Sequence, residues 1–283
     1  ACNRNESSVS EWRGPERSGI YNERNLLESW PEAGPDLIWE LNDLGSGYGS
    51  PTIANSKIFV LASEDSISYL KAFDFNGSML YKTKIGKEWV VNFPGSRSSP
   101  TIAGDFVYAM TGLGCLVCLK EKNGELVWSV DLLSDFSGES PRFGFSQSVV
   151  VDGDKVYCSP GGLIHNVVAL DRFNGSVIWS SEGKQERPAY HPAKLIEVGK
   201  KKLYLTFSAY HFMGFNAETG KLLWAHEQIN TKPEERSPGI GDTHANAVLF
   251  ENKTIYYFEG DGNCAIALKL SDDGSEITQL WNN

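Results

Sequence analysis

The sequence lacks several features that would assign it at once to a common functional class. No stretch of its 283 residues is long and apolar enough to cross a bilayer as a helix. Lysine and arginine form no run longer than Lys200 to Lys202 and the net charge is -10, which disfavours a nucleic acid as partner. The His-Glu-x-x-His, Gly-x-Ser-x-Gly and phosphate-loop patterns are absent, so no catalytic residue is predicted.

Cysteine is scarce, with only five residues in the chain: Cys2, Cys115, Cys118, Cys158 and Cys264. Cys115 and Cys118 have the spacing of a metal or redox pair, but they lie in a β-like run. Positions three apart on a strand face opposite sides, so both sulfurs cannot easily meet one metal ion. No second pair or nearby histidine completes a zinc set. We predict small buried side chains here rather than a metal site.

Cys2 follows the small residue Ala1 and precedes a polar stretch, Asn3 to Ser10, that has no core-forming pattern. This arrangement resembles the end of a bacterial lipoprotein signal, in which the lipid-bearing cysteine begins the mature protein. The alternative is an unmodified thiol in a flexible terminus. We predict lipidation at Cys2 and a flexible tether over residues 1–11.

Glycine and aromatic residues are plentiful, and they recur in register along the chain. Ser50-Pro51-Thr52-Ile53-Ala54 recurs as Ser99-Pro100-Thr101-Ile102-Ala103. Turn glycines follow at Gly77, Gly124, Gly175, Gly220 and Gly274, and an aromatic residue lies four positions after the first four: Tyr81, Trp128, Trp179 and Trp224. Their spacing of roughly 45 to 54 residues is that of a four-stranded propeller blade.

The repeat carries a family resemblance. The Ala-Leu-Asp-x-x-x-Gly-x-x-x-Trp pattern, seen at Ala169 to Trp179, resembles the pyrroloquinoline-quinone (PQQ)-like repeat of quinoprotein dehydrogenases and of BamB-type outer-membrane assembly lipoproteins. The run from Trp12 to Gly19 is similar to an N-terminal motif of secreted PQQ-repeat proteins. The resemblance extends over residues 12 to 281 and implies an all-β propeller of four-stranded PQQ-like blades.

About five blades are recognisable, and an additional segment precedes them. Leu37 to Leu41 resembles the outermost strand of a blade whose first three strands are missing. Members of the family resemble rings of about seven or eight blades. We therefore predict one propeller domain over residues 12–283 that is incomplete at its C-terminal end. The alternative is an open or tighter ring in which residues 37–41 pair unusually.

Blade topology predicts where a site would lie. We name the strands A to D from the axis outward, so that B–C turns and D–A links share one face, the loop face. Its D–A links are long, at roughly residues 86–98, 131–146, 180–190 and 227–243, and long links on a rigid ring are the usual place for binding. The candidate ligand-binding residues on this face are Trp89, Arg97, Arg142, Arg187, Tyr190, His191, Tyr210, His211 and His244.

The resemblance also implies what a catalytic relative would need. Quinoprotein dehydrogenases hold PQQ beneath a disulfide of adjacent cysteines, over a tryptophan and beside a calcium ion. No Cys-Cys pair occurs in this chain, and no carboxylate and amide set can be matched to the calcium ligands. PQQ with calcium is therefore an open possibility that no site residue supports.

The sequence predicts a non-catalytic binding or scaffolding propeller at the bacterial cell envelope. It would be a periplasmic or surface-exposed lipoprotein, held at the membrane only by its lipid anchor. A protein partner, or a carbohydrate or small-molecule ligand, would bind at the channel mouth on the loop face. Two alternatives stay open. One is a PQQ-dependent oxidoreductase of alcohols or sugars, and the other is a carbohydrate-binding accessory protein that stacks sugars on Trp89, Tyr190 and Tyr210.

Overall fold

The structure is a computed structural model that describes residues 9–228, 232–236, 247–258 and 265–283. Within these ranges, regular structure is β-strand apart from two short 3-10 helices, Pro15–Arg17 and Pro233–Glu235. Five antiparallel sheets of four consecutive strands follow one another along the chain, and one sheet gains a further strand. The predicted all-β propeller with about five four-stranded blades is confirmed. The described part of the chain contains no helix of the length and apolar character needed to span a bilayer.

The strands are numbered in chain order. The additional N-terminal strand is β1, Val9–Ser10. Blade 1 consists of β2 (Thr52–Ala54), β3 (Lys57–Glu64), β4 (Ile67–Phe73) and β5 (Met79–Lys87). Blade 2 consists of β6 (Thr101–Ala103), β7 (Phe106–Met110), β8 (Cys115–Lys120) and β9 (Leu126–Asp131). Blade 3 consists of β10 (Val150–Asp152), β11 (Lys155–Cys158), β12 (Val167–Asp171) and β13 (Val177–Ser181). Blade 4 consists of β14 (Lys194–Val198), β15 (Lys201–Phe207), β16 (His211–Asn216) and β17 (Leu222–Glu227), and blade 5 of β18 (Leu249–Glu251), β19 (Thr254–Phe258), β20 (Ala265–Leu270) and β21 (Ile277–Asn282).

The short C–D turns follow from their residue types. In blades 1, 3 and 4 the turn begins with Asp or Asn, whose side-chain oxygen accepts backbone N–H groups two to four residues later. Each ends at a glycine with positive φ, for example +72° at Gly220, a conformation that glycine adopts without steric cost. A–B and C–D turns lie together on the side opposite the loop face, which we call the turn face.

The apolar core is a series of layers between neighbouring blades. Four clusters of buried side chains fill the spaces between blades 1 and 2, 2 and 3, 3 and 4, and 4 and 5. Cys118 belongs to the layer between blades 2 and 3, whereas Cys115 packs against the layer between blades 1 and 2. The two thiols thus face opposite sides of β8, as the strand pattern predicts.

An aromatic side chain on strand D clamps each blade to the next. The Trp179 ring packs on Gly220 of the following C–D turn, and its indole N–H donates to the Ala217 carbonyl at 3.0 Å. Tyr81, Trp128 and Trp224 donate in the same way to Glu121, Arg172 and Gly274 of their following blades, at 2.9 to 3.2 Å. Only glycine leaves room for the ring, because a Cβ at Gly220 would lie 2.4 Å from Trp179.

The predicted strand at Leu37 to Leu41 is not present as a strand. An outermost strand takes its hydrogen bonds from a strand C of its own blade, and no such strand lies beside this segment in the described part of the chain. The segment nevertheless provides the aromatic clamp for blade 1. The Trp39 indole donates to the Phe75 carbonyl at 2.8 Å, and its ring packs near Gly77.

The innermost strands are joined by a ladder of hydroxyl groups. The Ser50 amide donates to Ser99 Oγ, and the Ser99 amide donates to Ser148 Oγ, both at 2.8 Å. Thr52 and Thr101 donate to the carbonyls of Pro100 and Val149 in the next blade, again at 2.8 Å. The Ser-Pro-Thr repeat is therefore what ties strand A of one blade to strand A of the next.

The N-terminal segment lies inside this ring of innermost strands. β1 pairs with β6, so residues 9 and 10 of the predicted tether join the sheet of blade 2. Arg17 is buried and forms an ion pair with Glu11. Its guanidinium donates to the carbonyls of Ser148, Val149 and Ala193, which belong to blades 3 and 4. The motif from Trp12 to Gly19 thus has an architectural role that the sequence did not indicate.

Candidate functional site

The loop face is built from the D–A links between β5 and β6, β9 and β10, and β13 and β14, from the described part of the link between β17 and β18, and from the B–C turns of blades 1 to 4. Of the nine candidate binding residues, eight are described: seven lie in these links and turns, and His211 is the first residue of β16. His244 lies outside the described residues, as does Cys2.

Trp89 and Arg97 hold the first link in shape. The Trp89 indole N–H donates to Asn92 Oδ1 at 2.8 Å, and its ring lies directly against Gly144 of the second link. Arg97 donates to the carbonyls of Gly95, Asn92 and Phe93 in its own link. Both side chains are half-buried, and these hydrogen bonds are made to residues of the same link.

Three links meet in a row of aromatic rings. The ring centroid of Phe143 lies 5.8 Å from that of Phe93 and 5.8 Å from that of Tyr190. The Phe143 amide donates to the Tyr190 hydroxyl at 2.6 Å. Arg142 is exposed, and its guanidinium lies 5.1 Å from the centre of the Phe143 ring. The row therefore connects the first, second and third links into one surface.

Glu186 organises the part of the loop face next to blade 4. Its carboxylate accepts hydrogen bonds from Ser208 Oγ, the Tyr210 amide and His211 Nδ1. Burial raises the pKa of Glu186, but the hydrogen bonds from His211 and Ser208 outweigh burial and leave the pKa below its usual value. Because a carboxylate only accepts hydrogen bonds, Nδ1 of His211 is the donor in this contact, and no described residue bonds Nε2.

Tyr210 lies between two arginines. The Arg187 guanidinium lies 5.4 Å from the centre of the Tyr210 ring and that of Arg236 lies 4.6 Å away, a cation–π arrangement. Arg187 also donates to the Tyr210 hydroxyl at 3.2 Å, and Arg236 pairs with Glu227 at 2.8 Å. Arg187 and Tyr210 are both buried, so little of either side chain faces solvent.

His191, which the sequence predicted to line the channel mouth, has a buried side chain. The side chain is 6% exposed, and its ring packs edge-on against Phe207 at 4.3 Å. Neither ring nitrogen has a hydrogen-bond partner among the described residues. Burial, with a smaller contribution from the Arg17 charge, lowers its pKa to about 3, so the ring is neutral at physiological pH.

Sequence reasoning missed two kinds of residue on this face. Glu88 joins the first link to the B–C turn of blade 2, since its Oε1 accepts the amides of Trp89 and Gly112. Apolar side chains also stand out into solvent, with Val91 78% and Leu163 68% exposed. The further exposed apolar residues of the loop face are Val90, Phe93 and Ile164. The Val90-Val91-Asn92-Phe93 run could have indicated this surface, because aliphatic residues are unusual in a long loop.

A cavity of about 380 Å³ lies beside blade 1. It is bounded by residues 39–49 and by the side of blade 1 that faces this segment, and it is lined mainly by apolar side chains: Trp39, Leu41, Leu44, Pro51, Ile58, Val60 and Phe73. Its walls carry no carboxylate, imidazole or guanidinium group, which leaves no group for acid–base or metal chemistry there.

The described residues do not fit a bound PQQ with calcium. Residues 9–17 cross the axial space. Arg17 donates hydrogen bonds to carbonyl groups at the ends of the innermost strands, so these carbonyls are already engaged. The described thiols of Cys115, Cys118 and Cys158 lie in or against the layers between blades, with raised pKa values. Within the described ranges, no three His, Cys, Asp or Glu side chains gather into a possible metal site.

Comparison with solved structures supports the propeller fold. The crystal structure of BamB from Moraxella catarrhalis is 17% identical with a TM-score of 0.58, covering 88% of this chain and 68% of that one. The quinohemoprotein alcohol dehydrogenase ADHIIG from Pseudomonas putida HK5 is 14% identical with a TM-score of 0.54, covering 86% of this chain and 43% of that one. A europium-containing methanol dehydrogenase is 13% identical with a TM-score of 0.55, covering 87% and 53%. At these identities the likeness concerns the fold alone, and the chain spans about half the length of the two dehydrogenases.

The comparison of sequences is more specific. No curated protein sequence matches the chain. The family model described as outer membrane protein assembly factor BamB, of the PQQ-like repeat type, matches residues 68–283, which is well over half of the chain. The repeat, the blades and this match lead to the same conclusion: the chain belongs to the PQQ-like repeat family of the outer membrane protein assembly factor BamB.

Proposed function

We propose that this protein is a non-catalytic scaffolding propeller of the bacterial cell envelope that binds a protein partner on its loop face. The observation that carries the proposal is the set of exposed apolar side chains on that face, Val90, Val91, Phe93, Leu163 and Ile164. Charged groups of the neighbouring links, those of Arg97, Glu88 and Glu186, are already engaged in internal hydrogen bonds. A firm surface with exposed apolar side chains suits a protein partner better than a small polar ligand.

The family supports the same proposal. The matching model is described as an outer membrane protein assembly factor, and an assembly factor acts through contacts with other proteins. An envelope location with a lipid on Cys2 agrees with this description. We propose that Cys2 anchors the protein and that the propeller itself stays outside the bilayer.

The carbohydrate-binding alternative has less support from the geometry. Sugar stacking needs an open aromatic face, but the Trp89 ring lies against Gly144 and Tyr210 is buried between two guanidinium groups. Tyr190 is half-buried and packs against Phe143. The oxidoreductase alternative would need a quinone and metal site that the described residues do not provide.

The proposal is tested by capture of partners from envelope extracts of the producing bacterium. The loop-face variant carries Val91→Asp and Leu163→Asp, and the matched control carries Leu80→Asp and Leu126→Asp, two exposed leucines on outermost strands. Loss of buried apolar contacts should lower the amount of retained partner about tenfold or more in the loop-face variant, since roughly 1.4 kcal/mol corresponds to tenfold. The control should retain the partner as the wild type does.

Two results would contradict the proposal. Retention that is equal in all three proteins would place the contact elsewhere. Equal loss in the control would indicate a general effect of added charge and not a loop-face interface. Far-ultraviolet circular dichroism of each variant checks that the sheets have formed.

A further inference from the structure

The register of β1 fixes the direction in which the N-terminal segment crosses the propeller. β1 runs antiparallel to β6, with Val9 opposite Ala103 and Ser10 opposite Ile102. β6 begins after a D–A link on the loop face and ends at the A–B turn, Gly104 and Asp105, on the turn face. Val9 therefore lies at the turn-face end of β6, and the chain continues from there toward the loop face.

The contacts of Arg17 give the same direction independently. The carbonyls that it binds belong to Ser148 and Val149, just before β10, and to Ala193, just before β14. These positions are the loop-face ends of their innermost strands. Lys194 adds a hydrogen bond to the carbonyl of Glu16 at 3.1 Å. Between Val9 and Arg17 the chain thus passes along the axis from the turn face to the loop face.

The short distance along the chain from Cys2 to Val9 limits where residue 2 can be. Seven residue steps span at most about 25 Å when fully extended. To reach the loop face around the outside, the chain would cross four strand spacings from β1 to β9 and then the length of β9, which has six residues. With strands about 4.8 Å apart and a rise of about 3.3 Å per residue, that path is about 40 Å. A path back along the axis would require the chain to reverse direction at Val9 and run beside residues 10–17.

We infer that the N-terminal tether leaves this propeller on the turn face, so that an anchor at Cys2 holds the turn face toward the membrane and directs the loop face away from it. The direction of exit follows from the register and from Arg17, whereas its use as a membrane orientation rests on the lipid at Cys2 in the proposed function. The surface nearest to the membrane would then be formed by the A–B and C–D turns, including the exposed ring of Phe75. A partner on the loop face would be met on the side away from the anchoring bilayer.

The exit direction is tested with a nitroxide label on Cys2 of the purified, unacylated protein. The label is confined to this thiol by Cys115→Ala and Cys264→Ala, and the thiols of Cys118 and Cys158 are buried with pKa values raised to about 12. Paramagnetic broadening of amide signals is then compared within blades: Gly104 against Gly112 in blade 2, and Gly153 against Gly161 in blade 3. The first residue of each pair lies in an A–B turn and the second in a B–C turn. The same sample reduced with ascorbate provides the reference intensities.

We expect several-fold greater broadening at Gly104 and Gly153 than at their loop-face counterparts. Equal broadening within each pair, or greater broadening at Gly112 and Gly161, would overturn the inference. Neither result depends on acylation. If mass spectrometry of the protein from the envelope showed an unmodified Cys2, the anchor in the proposed function would fail while the exit direction would stand.

Discussion

Single side chains decide how the axis of this propeller is built. Arg17 and His191 both lie near it, but the two have opposite chemistry. The Arg17 charge is compensated by Glu11 and by three backbone carbonyls. His191 occupies the repeat position of Ser50 and Ser99, yet its ring nitrogens have no partner among the described residues. A buried polar group without a partner is destabilising, and it becomes more so if it must take up a charge.

His191 should make the protein sensitive to acid. Its folded pKa of about 3 lies below the usual 6.5, so between these values the unfolded chain binds a proton that the folded chain does not. The free energy of unfolding should therefore fall as the pH drops from 6.5 toward 3. His191→Gln, which cannot titrate, should reduce the pH dependence of the free energy of unfolding by about one proton.

Urea unfolding of both proteins between pH values of about 4 and 8 measures this effect. The quantity compared is the slope of the free energy of unfolding against pH, and not the absolute stability. If the free energy of unfolding had the same pH dependence in wild type and variant, the pKa of His191 would be the same in the folded and the unfolded chain, and the prediction would be wrong. Agreement of the slopes above pH 7 serves as the internal control.

The residue scale also shows a limit of sequence reasoning. The alignment of His191 with Ser50 and Ser99 placed it at the start of an innermost strand, as the structure does. It did not predict the side to which the ring turns. That side depends on the packing against Phe207 in the layer between blades, which no local pattern encodes. Arg17 was missed for a similar reason, because its carbonyl partners lie more than 130 residues away in the sequence.

At the scale of strands and turns, the repeat encodes most of what the structure contains. Alternating apolar residues and Asx–glycine turns predicted the strands of all five blades, because both signals are local. Leu37 to Leu41 was the exception, since a strand also needs a hydrogen-bonding neighbour that the pattern alone cannot supply. The sequence located the long D–A links. It could not predict the contacts among Phe93, Phe143 and Tyr190, because these residues belong to three different links and the sequence of one link does not show what lies beside it.

The aromatic clamp makes a specific prediction about two glycines of blade 4. Gly199 and Gly220 both have positive φ, at +64° and +72°, but a Cβ at Gly199 would meet nothing within 4 Å. Gly199→Ala should therefore cost only the conformational strain, about 1 kcal/mol. Gly220→Ala should cost about 1–3 kcal/mol more, because the added methyl group collides with Trp179.

Thermal unfolding of the two variants beside the wild type measures the difference. Equal destabilisation by both substitutions would mean that the Trp179 ring can move aside at little cost, and that the clamp is not a major link between blades 3 and 4.

At the scale of the whole molecule, the blades form an array held together by contacts between neighbours. The layers of apolar side chains, the hydroxyl ladder and the aromatic clamps each join one blade to the next. The clamps also have a direction, from strand D of one blade to the turn of the following blade. Trp281 lies on strand D of blade 5 and is 45% exposed. No described C–D turn of a following blade packs against its ring.

The quinone alternative is tested on the intact protein by thermal unfolding with and without PQQ plus calcium. A ligand at one hundred times its dissociation constant stabilises a one-site protein by about 2.7 kcal/mol, which raises the melting temperature by several degrees. We expect no shift, because residues 9–17 cross the axis and the described thiols lie in the layers between blades. A calcium-dependent rise would contradict this expectation and would return the oxidoreductase to consideration.

The position of Arg17 also has a consequence for the order of folding. Ribosomal synthesis proceeds from the N-terminus, so this arginine emerges long before the carbonyl of Ala193, which follows it by 176 residues. Its partners exist only after blade 3 and the start of blade 4 have been made. Contacts between such distant parts of a chain form slowly, because a long loop must close first. The first described segment to be synthesised is thus among the last to reach its native place, and until then the innermost strands of blades 2, 3 and 4 assemble around an open centre.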